Sequence, residues 1–97
     1  YWVILDTGST DGTQEIIKTF MKDIPGELHE DPFVNFEYSR NKALDFAKGK
    51  ADYVLFIDAD EYFNYPKDYK IPHLDKDFYY VTTEFGGMEY ARTLLIN

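Results

Sequence analysis

Residues 1–20, YWVILDTGSTDGTQEIIKTF, pass from an apolar run through a turn-rich segment into an amphipathic stretch. The apolar run ends at Asp6 and predicts a short buried strand. Apolar residues then recur at helical spacing from Ile16 to Ile24, where Pro25-Gly26 ends the pattern. Asp11, followed three residues later by Gln14, predicts an N-cap and a capping box for this helix. Strand, turn and helix in this order favour an α/β fold.

The middle of the chain predicts a second helix. Residues 27–32 are acidic and indicate a loop, and residues 33–36 indicate a short extended segment. A helix is expected from about residue 39 to residue 48, with Ala43, Leu44 and Ala47 facing inward.

The second half of the chain predicts three strands. Residues 53–57 are an unbroken apolar run, which is typical of a central parallel strand covered on both faces. Two further strands, at residues 78–83 and 88–96, are expected to form a hairpin near Gly86-Gly87. The whole pattern predicts an α/β fold, with a mostly parallel core and an antiparallel addition.

Composition narrows the class of protein. The chain has 97 residues, of which 44% are hydrophobic, so we expect one domain over residues 1–97. The net charge of -8 argues against nucleic acid and anionic membranes as partners. Cysteine is absent, which excludes disulfides and thiolate metal sites and permits a reducing compartment. The location is not specified by the sequence, and a cytoplasmic one is expected. No apolar run reaches the roughly 20 residues of a membrane span. Because the first residue is Tyr1, we expect a piece of a larger protein.

Carboxylates follow both predicted strands of the core. Asp58 and Asp60 come directly after the apolar run of residues 53–57 and lie two apart. Ligands bind at the carboxyl ends of strands in open α/β sheets, and Mg²⁺ or Mn²⁺ shares carboxylates with phosphates. The pattern predicts a metal–diphosphate site, the alternative being a solvated acidic loop. Asp6 is expected at the same edge with a ligand role, whereas Asp11 is expected to act mainly as a helix cap.

Three segments together resemble the family 2 glycosyltransferases of the GT-A fold. They are the segment from Val3 to Thr13, the segment Tyr38-Ser39-Arg40-Asn41-Lys42-Ala43-Leu44, and the segment from Val54 to Glu61. They occur in the family's order and cover about the first two thirds of the chain. The resemblance implies a Rossmann-like GT-A core, truncated at both ends, because the family's first strand and helix and its acceptor elements do not appear.

The resemblance also implies the site residues and the chemistry. Asp6, Thr7, Asp11, Arg40, Asn41 and Asp58 would lie at the nucleotide, and Asp60 with Asp58 would bind Mn²⁺ or Mg²⁺. The expected reaction transfers a sugar from a nucleotide-diphosphate sugar, commonly a UDP-sugar, to an acceptor hydroxyl with inversion. The acceptor, a saccharide, protein or lipid, is not specified. For Arg40 and Asn41 a helix-start salt bridge and cap is an equal alternative.

The catalytic base is not assigned by the sequence. Glu84 and Glu89 are expected to be strand-surface residues, and no motif supports either of them. His29 and His73 are expected to be solvated loop residues. The aromatic residues after the Asp-x-Asp motif are expected to pack an irregular loop rather than stack on a sugar; they are Tyr62, Phe63, Tyr65 and Tyr69.

Three other functions compete with this interpretation. Asp6-Thr7-Gly8-Ser9 matches the motif of aspartic proteases, which require an all-β frame and a partner segment. An aspartyl phosphatase also has an apolar strand before Asp-x-Asp, but Glu61-Tyr62 stands where Gly-Thr is expected. A non-catalytic nucleotide-binding domain is the third alternative.

Overall fold

The computed structural model describes the backbone of residues 1–96 and the side chains of residues 1–89 and 96. The described residues form, in chain order, β1 (Trp2–Asp6), α1 (Thr13–Phe20), β2 (Gly26–Glu30), α2 (Phe36–Ala47), β3 (Val54–Leu55), β4 (Phe78–Phe85) and β5 (Met88–Ile96). The chain divides into two compact units, Tyr1–Ala51 and Asp52–Asn97. The single domain expected over residues 1–97 stays a prediction. None of the described helices is long and apolar enough to cross a bilayer.

The first unit is a parallel strand pair with two helices. β1 and β2 pair in parallel from Trp2↔Gly26 to Asp6↔Glu30, with α1 in the connection between them. α2 packs against β1. This β–α–β–α arrangement confirms the predicted α/β class.

β2 corrects the prediction of a loop at residues 27–32. Its polar residues Glu27 and His29 lie two apart and therefore on one face of the strand, where they contact each other at 2.8 Å. The ring of His29 also stacks on Phe46, with centroids 3.6 Å apart. His29 is therefore a half-buried strand residue, not the solvated loop residue expected, whereas His73 is exposed in a loop as predicted. Glu27 and His29 are tolerated in this half-buried strand because each has a partner in the fold.

The start of α1 differs by one residue from the prediction. Gly12, with φ of +86°, is the N-cap, and its conformation suits glycine. Asp11 instead accepts hydrogen bonds from the backbone N–H and the hydroxyl of Thr13. The side chain of Gln14 bonds to Asp6 and to the carbonyl of Ser9, so the predicted capping box does not form.

The start of α2 lies three residues before the predicted one. Asn35 is the N-cap, and its side chain accepts a hydrogen bond from the backbone N–H of Tyr38 at 2.8 Å. Phe36 is therefore the first helical residue and not part of an extended segment. The inward face is as predicted, because Ala47 is buried and Ala43 and Leu44 are half-buried.

The second unit is an antiparallel sheet in the order β3-β5-β4. β3 has two residues and pairs with β5, so the expected central parallel strand at residues 53–57 is wrong. Leu55 and Ile57 remain 40% and 49% exposed. A continuous apolar run indicates a tendency to be buried, but it does not specify a strand partner.

The hairpin of β4 and β5 confirms the prediction for the end of the chain. Phe85 pairs with Met88, and Gly86 and Gly87 form the two-residue turn between them with φ of +58° and +80°. Two consecutive positive φ values match the turn that follows the twist of a hairpin, and glycine adopts them without a steric penalty.

Candidate functional site

The loop after β1 is organised around the carboxylate of Asp6. This side chain is 6% exposed, and its Oδ2 accepts hydrogen bonds from the N–H groups of Gly8 and Ser9 and from the amide of Gln14. Its Oδ1 accepts from the hydroxyl of Ser9 at 2.5 Å. These donors, and the Ser9 hydroxyl above all, hold the pKa of Asp6 below its ordinary value. Asp6 is therefore a buried, charged residue that shapes the loop.

The other predicted loop residues are exposed. Thr7 follows Asp6 directly and lies at the surface of the carboxyl edge of β1. Asp11 is exposed as well, and the hydroxyl of Thr13 lowers its pKa most strongly. The hydrogen bonds from Thr13 agree with the structural role expected for Asp11. Asp11 nevertheless precedes the N-cap, which is Gly12.

The beginning of α2 lies at the same edge of the parallel pair as Asp6. The backbone N–H of Asp31 donates to the carbonyl of Asp6 at 3.0 Å. The hydroxyl of Tyr38, in the first turn of α2, donates to the carboxylate of Asp31 at 3.3 Å. Arg40 and Asn41 follow in α2 and are exposed. The first unit thus brings the Asp6 loop and the first half of α2 to one edge.

Asp58 and Asp60 lie on a tight turn in the second unit. The backbone N–H of Asp58 donates to the carboxylate of Glu61 at 2.8 Å, and the N–H of Glu61 donates to the carbonyl of Asp58 at 3.0 Å. Asp58 and Glu61 are half-buried, whereas Asp60 is exposed. Glu61 therefore closes the turn, and Asp60 is presented to solvent.

The acidic turn fits only one kind of metal site. Within residues 1–89 and 96, no three acidic or histidine side chains come together in a metal-binding group. An all-protein cage is thus not formed by these residues. Mg²⁺ binds through one or two carboxylates and completes its shell with water and substrate phosphates. Asp60 and Asp58 fit that mode, in which a diphosphate supplies the remaining oxygen ligands.

The turn lines a cavity of about 580 Å³ within the second unit. Its lining consists of residues 55–58 and 60–64, which include both aspartates, and residues 81–85 of β4. Glu84 and Phe85 therefore belong to the same cavity as Asp58 and Asp60, which the sequence did not predict. The sequence carried no signal for this, because the exposure of both residues at the end of β4 is seen only in the structure.

A second cavity of similar volume lies in the first unit, away from the predicted residues. Its lining includes Trp2, Lys22 and Gly26, at the amino ends of β1 and β2. Gly26 permits the close approach of the Trp2 indole, because a Cβ at this position would overlap the ring. Ligands of open α/β sheets bind at the opposite, carboxyl ends. We therefore do not assign a site to this cavity.

The architecture argues against the aspartic protease alternative. Asp6 ends a strand of a parallel pair and is followed by α1, whereas the protease motif requires an all-β frame.

The similarity of this chain to known proteins agrees with the motifs that contain these residues. Residues 2–91 match the model of "Glycosyl transferase family 2". The SPbeta prophage-derived glycosyltransferase SunS of Bacillus subtilis (strain 168) and the glycosyltransferase SunS of Bacillus phage SPbeta are each 36% identical over 63 residues, which cover 64% of this chain. The chain matches 14% of the length of these relatives. No solved structure matches. The parallel pair is consistent with part of a GT-A core, and the chain belongs to glycosyl transferase family 2.

Proposed function

We propose that the chain is the donor-binding part of a metal-dependent glycosyltransferase. The donor is a nucleotide-diphosphate sugar, namely a UDP-sugar, and the sugar passes to an acceptor hydroxyl with inversion. The observation that carries the proposal is the turn from Asp58 to Glu61, which closes on its own backbone and leaves Asp60 exposed beside a cavity. The family match supports the reaction class.

Asp60 is the main metal ligand in this proposal, and Asp58 assists it. The carboxylate of Glu61 accepts from the backbone of the turn, so it positions the two aspartates. Mn²⁺ or Mg²⁺ bound there would stabilise the negative charge that develops on the departing diphosphate. Because the chain has a net charge of -8, an anionic donor binds at this acidic turn only when such a cation is present.

The nucleotide-binding residues are proposed to be Asp6, Thr7, Asp11, Arg40, Asn41 and Asp58. Within the first unit, Asp6 acts by shaping its loop, since its carboxylate already accepts four hydrogen bonds. A carboxylate offers about four lone-pair sites, and the four observed donors match that number, so Asp6 contributes through the shape of the loop. Thr7 is exposed beside it, and Arg40 lies on the helix that starts at this edge.

The experiment is a titration of the 97-residue chain with UDP in the presence of Mn²⁺, comparing Asp60→Asn with Asp68→Asn. Both residues are exposed in the second unit, but Asp68 does not line the cavity. We expect Asp60→Asn to weaken binding at least about tenfold, because it removes a charged metal ligand, and Asp68→Asn to leave it unchanged. Equal affinities of Asp60→Asn and the parent would show that Asp60 does not bind the metal.

A further inference from the structure

Gln14 has contacts that its predicted role in a capping box does not explain. Its side-chain Nε2 donates to Asp6 Oδ2 at 2.9 Å and to the backbone carbonyl of Ser9 at 2.9 Å. A side-chain NH₂ group carries two hydrogens, so both of them are used within the loop that follows β1. Gln14 therefore belongs to the hydrogen-bond network of that loop and not to the cap of α1.

The two hydrogen bonds of Gln14 join three parts of the first unit. Asp6 ends β1, Ser9 lies in the loop, and Gln14 is the second residue of α1. The other donors to Asp6 are Gly8 and Ser9, which follow it by two and three positions, whereas Gln14 follows it by eight. Of the described hydrogen bonds to Asp6, only the one from Gln14 therefore fixes the helix to the end of the strand.

Packing does not hold the loop at its two glycines. Gly8 and Gly12 have φ of +117° and +86°, and a Cβ at either position would meet no atom of the described structure within 4 Å. Thr7, Thr10 and Asp11 are exposed between and around them. Glycine has access to many backbone conformations, so such a loop keeps one conformation through its hydrogen bonds.

The amide of Gln14 donates without carrying a charge. A carboxylate in its place would lie where Nε2 is now 2.9 Å from Asp6 Oδ2, and it would accept hydrogen bonds instead of donating them. Two carboxylates at such a distance repel each other until one of them takes up a proton and donates to the other. Gln14→Glu is therefore a substitution whose effect on the loop can be reversed by pH.

We propose that Gln14 is a positioning residue for the nucleotide of the donor. Its amide holds the segment from Thr7 to Gly12 in the conformation that receives the nucleotide. It acts through Asp6 and Ser9 and does not itself contact the ligand. The inference rests on the proposed donor site, two of whose nucleotide-binding residues, Thr7 and Asp11, lie in this segment.

The test is a titration of the 97-residue chain with UDP and Mg²⁺ at several pH values, comparing Gln14→Glu with the parent. At about pH 8 we expect Gln14→Glu to bind UDP at least about tenfold more weakly, because two hydrogen bonds are lost and a like charge faces Asp6. Toward about pH 5.5 the ratio of the two affinities should fall toward one, since a protonated carboxyl group again donates to Asp6. A ratio that does not change with pH would contradict this account of Gln14.

Two further variants separate the hydrogen bonds from the charge. Gln14→Ala removes both bonds without adding a charge, so it should weaken UDP at least about tenfold at every pH, with no recovery in acid. The matched control is Thr19→Glu, which adds one negative charge to the exposed side of α1 and should bind UDP like the parent. Circular dichroism checks that each variant is folded. Equal UDP affinity of Gln14→Ala and the parent would overturn the proposal.

Backbone amide NMR signals of Gly8 and Ser9 report the loop directly. In Gln14→Glu these signals should move at about pH 8 and return toward about pH 5.5, together with the affinity for UDP. Movement of the signals with no change in affinity would show that Gln14 shapes the loop without serving the nucleotide, and would overturn the proposal.

The parent chain separates this proposal from the proposed function. If the parent and all variants bind UDP equally well, the role of Gln14 is wrong and the donor site stands. If the parent itself does not bind UDP with Mg²⁺, the donor site is wrong and the role of Gln14 is wrong with it.

Discussion

Glu27 is the residue of the first unit whose charge is most strongly tied to the fold. Its carboxylate accepts a hydrogen bond from the hydroxyl of Tyr1 at 2.6 Å, contacts His29 at 2.8 Å and lies 3.3 Å from the ammonium of Lys50. The hydrogen bond from Tyr1 is the largest cause that lowers the pKa of Glu27, to about 2, and His29 and Lys50 act in the same direction. The charged form of Glu27 therefore stabilises the folded chain.

The stability of the chain should fall in acid through this residue. Because folding lowers the pKa of Glu27, its contribution is complete above its ordinary pKa of 4.5 and is lost as the pH falls toward about 2. Urea unfolding between pH 6 and about pH 2.5 measures the loss. We expect Glu27→Gln to flatten this part of the profile, whereas Glu30→Gln, at the exposed end of the same strand, should keep it. An unchanged slope in Glu27→Gln would assign the acid sensitivity to other groups.

At the scale of elements, the loop between β1 and α1 depends on one carboxylate. Asp6 bonds to two backbone N–H groups, a hydroxyl and an amide, and it joins the end of the strand to the first turn of the helix through Gln14. Such a buried charged acceptor keeps the loop in one conformation only while all of its donors are satisfied.

Asp6→Asn should therefore destabilise the first unit. The asparagine amide accepts through one oxygen, so its NH₂ group would face donors that now bond to the second carboxylate oxygen. We expect a loss of about 1–3 kcal/mol in the free energy of unfolding, measured in urea, because buried donors lose their acceptor. Asp45→Asn, on the exposed side of α2, is the control and should change little. A loss no greater than that of the control would contradict the central role of Asp6 in the loop.

The elements that could be predicted are those whose signal is local. The hairpin follows from Gly86-Gly87 between two apolar runs, and the inner face of α2 follows from the spacing of Ala43, Leu44 and Ala47. β2 could not be predicted because the stability of its polar residues comes from distant partners, such as Tyr1 and Lys50 for Glu27. The antiparallel pairing of β3 with β5 was missed for the same reason, since an apolar run does not specify its partner.

At the scale of the whole molecule, only part of the candidate site could be predicted from the sequence. The Asp-x-Asp motif indicated Asp58 and Asp60, because carboxylates after an apolar run are visible in the sequence alone. Glu84 and Phe85 were not identified, since they come to the cavity through the fold of the second unit, more than 20 positions along the chain from Asp60. The sequence also could not show that Glu61 bonds to the backbone of Asp58.

Because the chain is acidic, binding of an anionic donor depends on the metal. With a net charge of -8 and carboxylates around the cavity of the second unit, an anionic diphosphate meets an unfavourable potential unless a divalent cation lies between them. Binding of nucleotide and binding of metal should therefore be coupled, each increasing the affinity of the other by the same factor.

Calorimetric titration of the chain with UDP, with Mn²⁺ and again with excess EDTA, tests this central claim most directly. The account predicts binding in Mn²⁺ and at least about tenfold weaker binding in EDTA, because the cation links the diphosphate to Asp58 and Asp60. The same titration with GDP reports the preference for the base. Equal affinity for UDP in Mn²⁺ and in EDTA, or no binding of either nucleotide in Mn²⁺, would contradict a metal-dependent donor site in this chain.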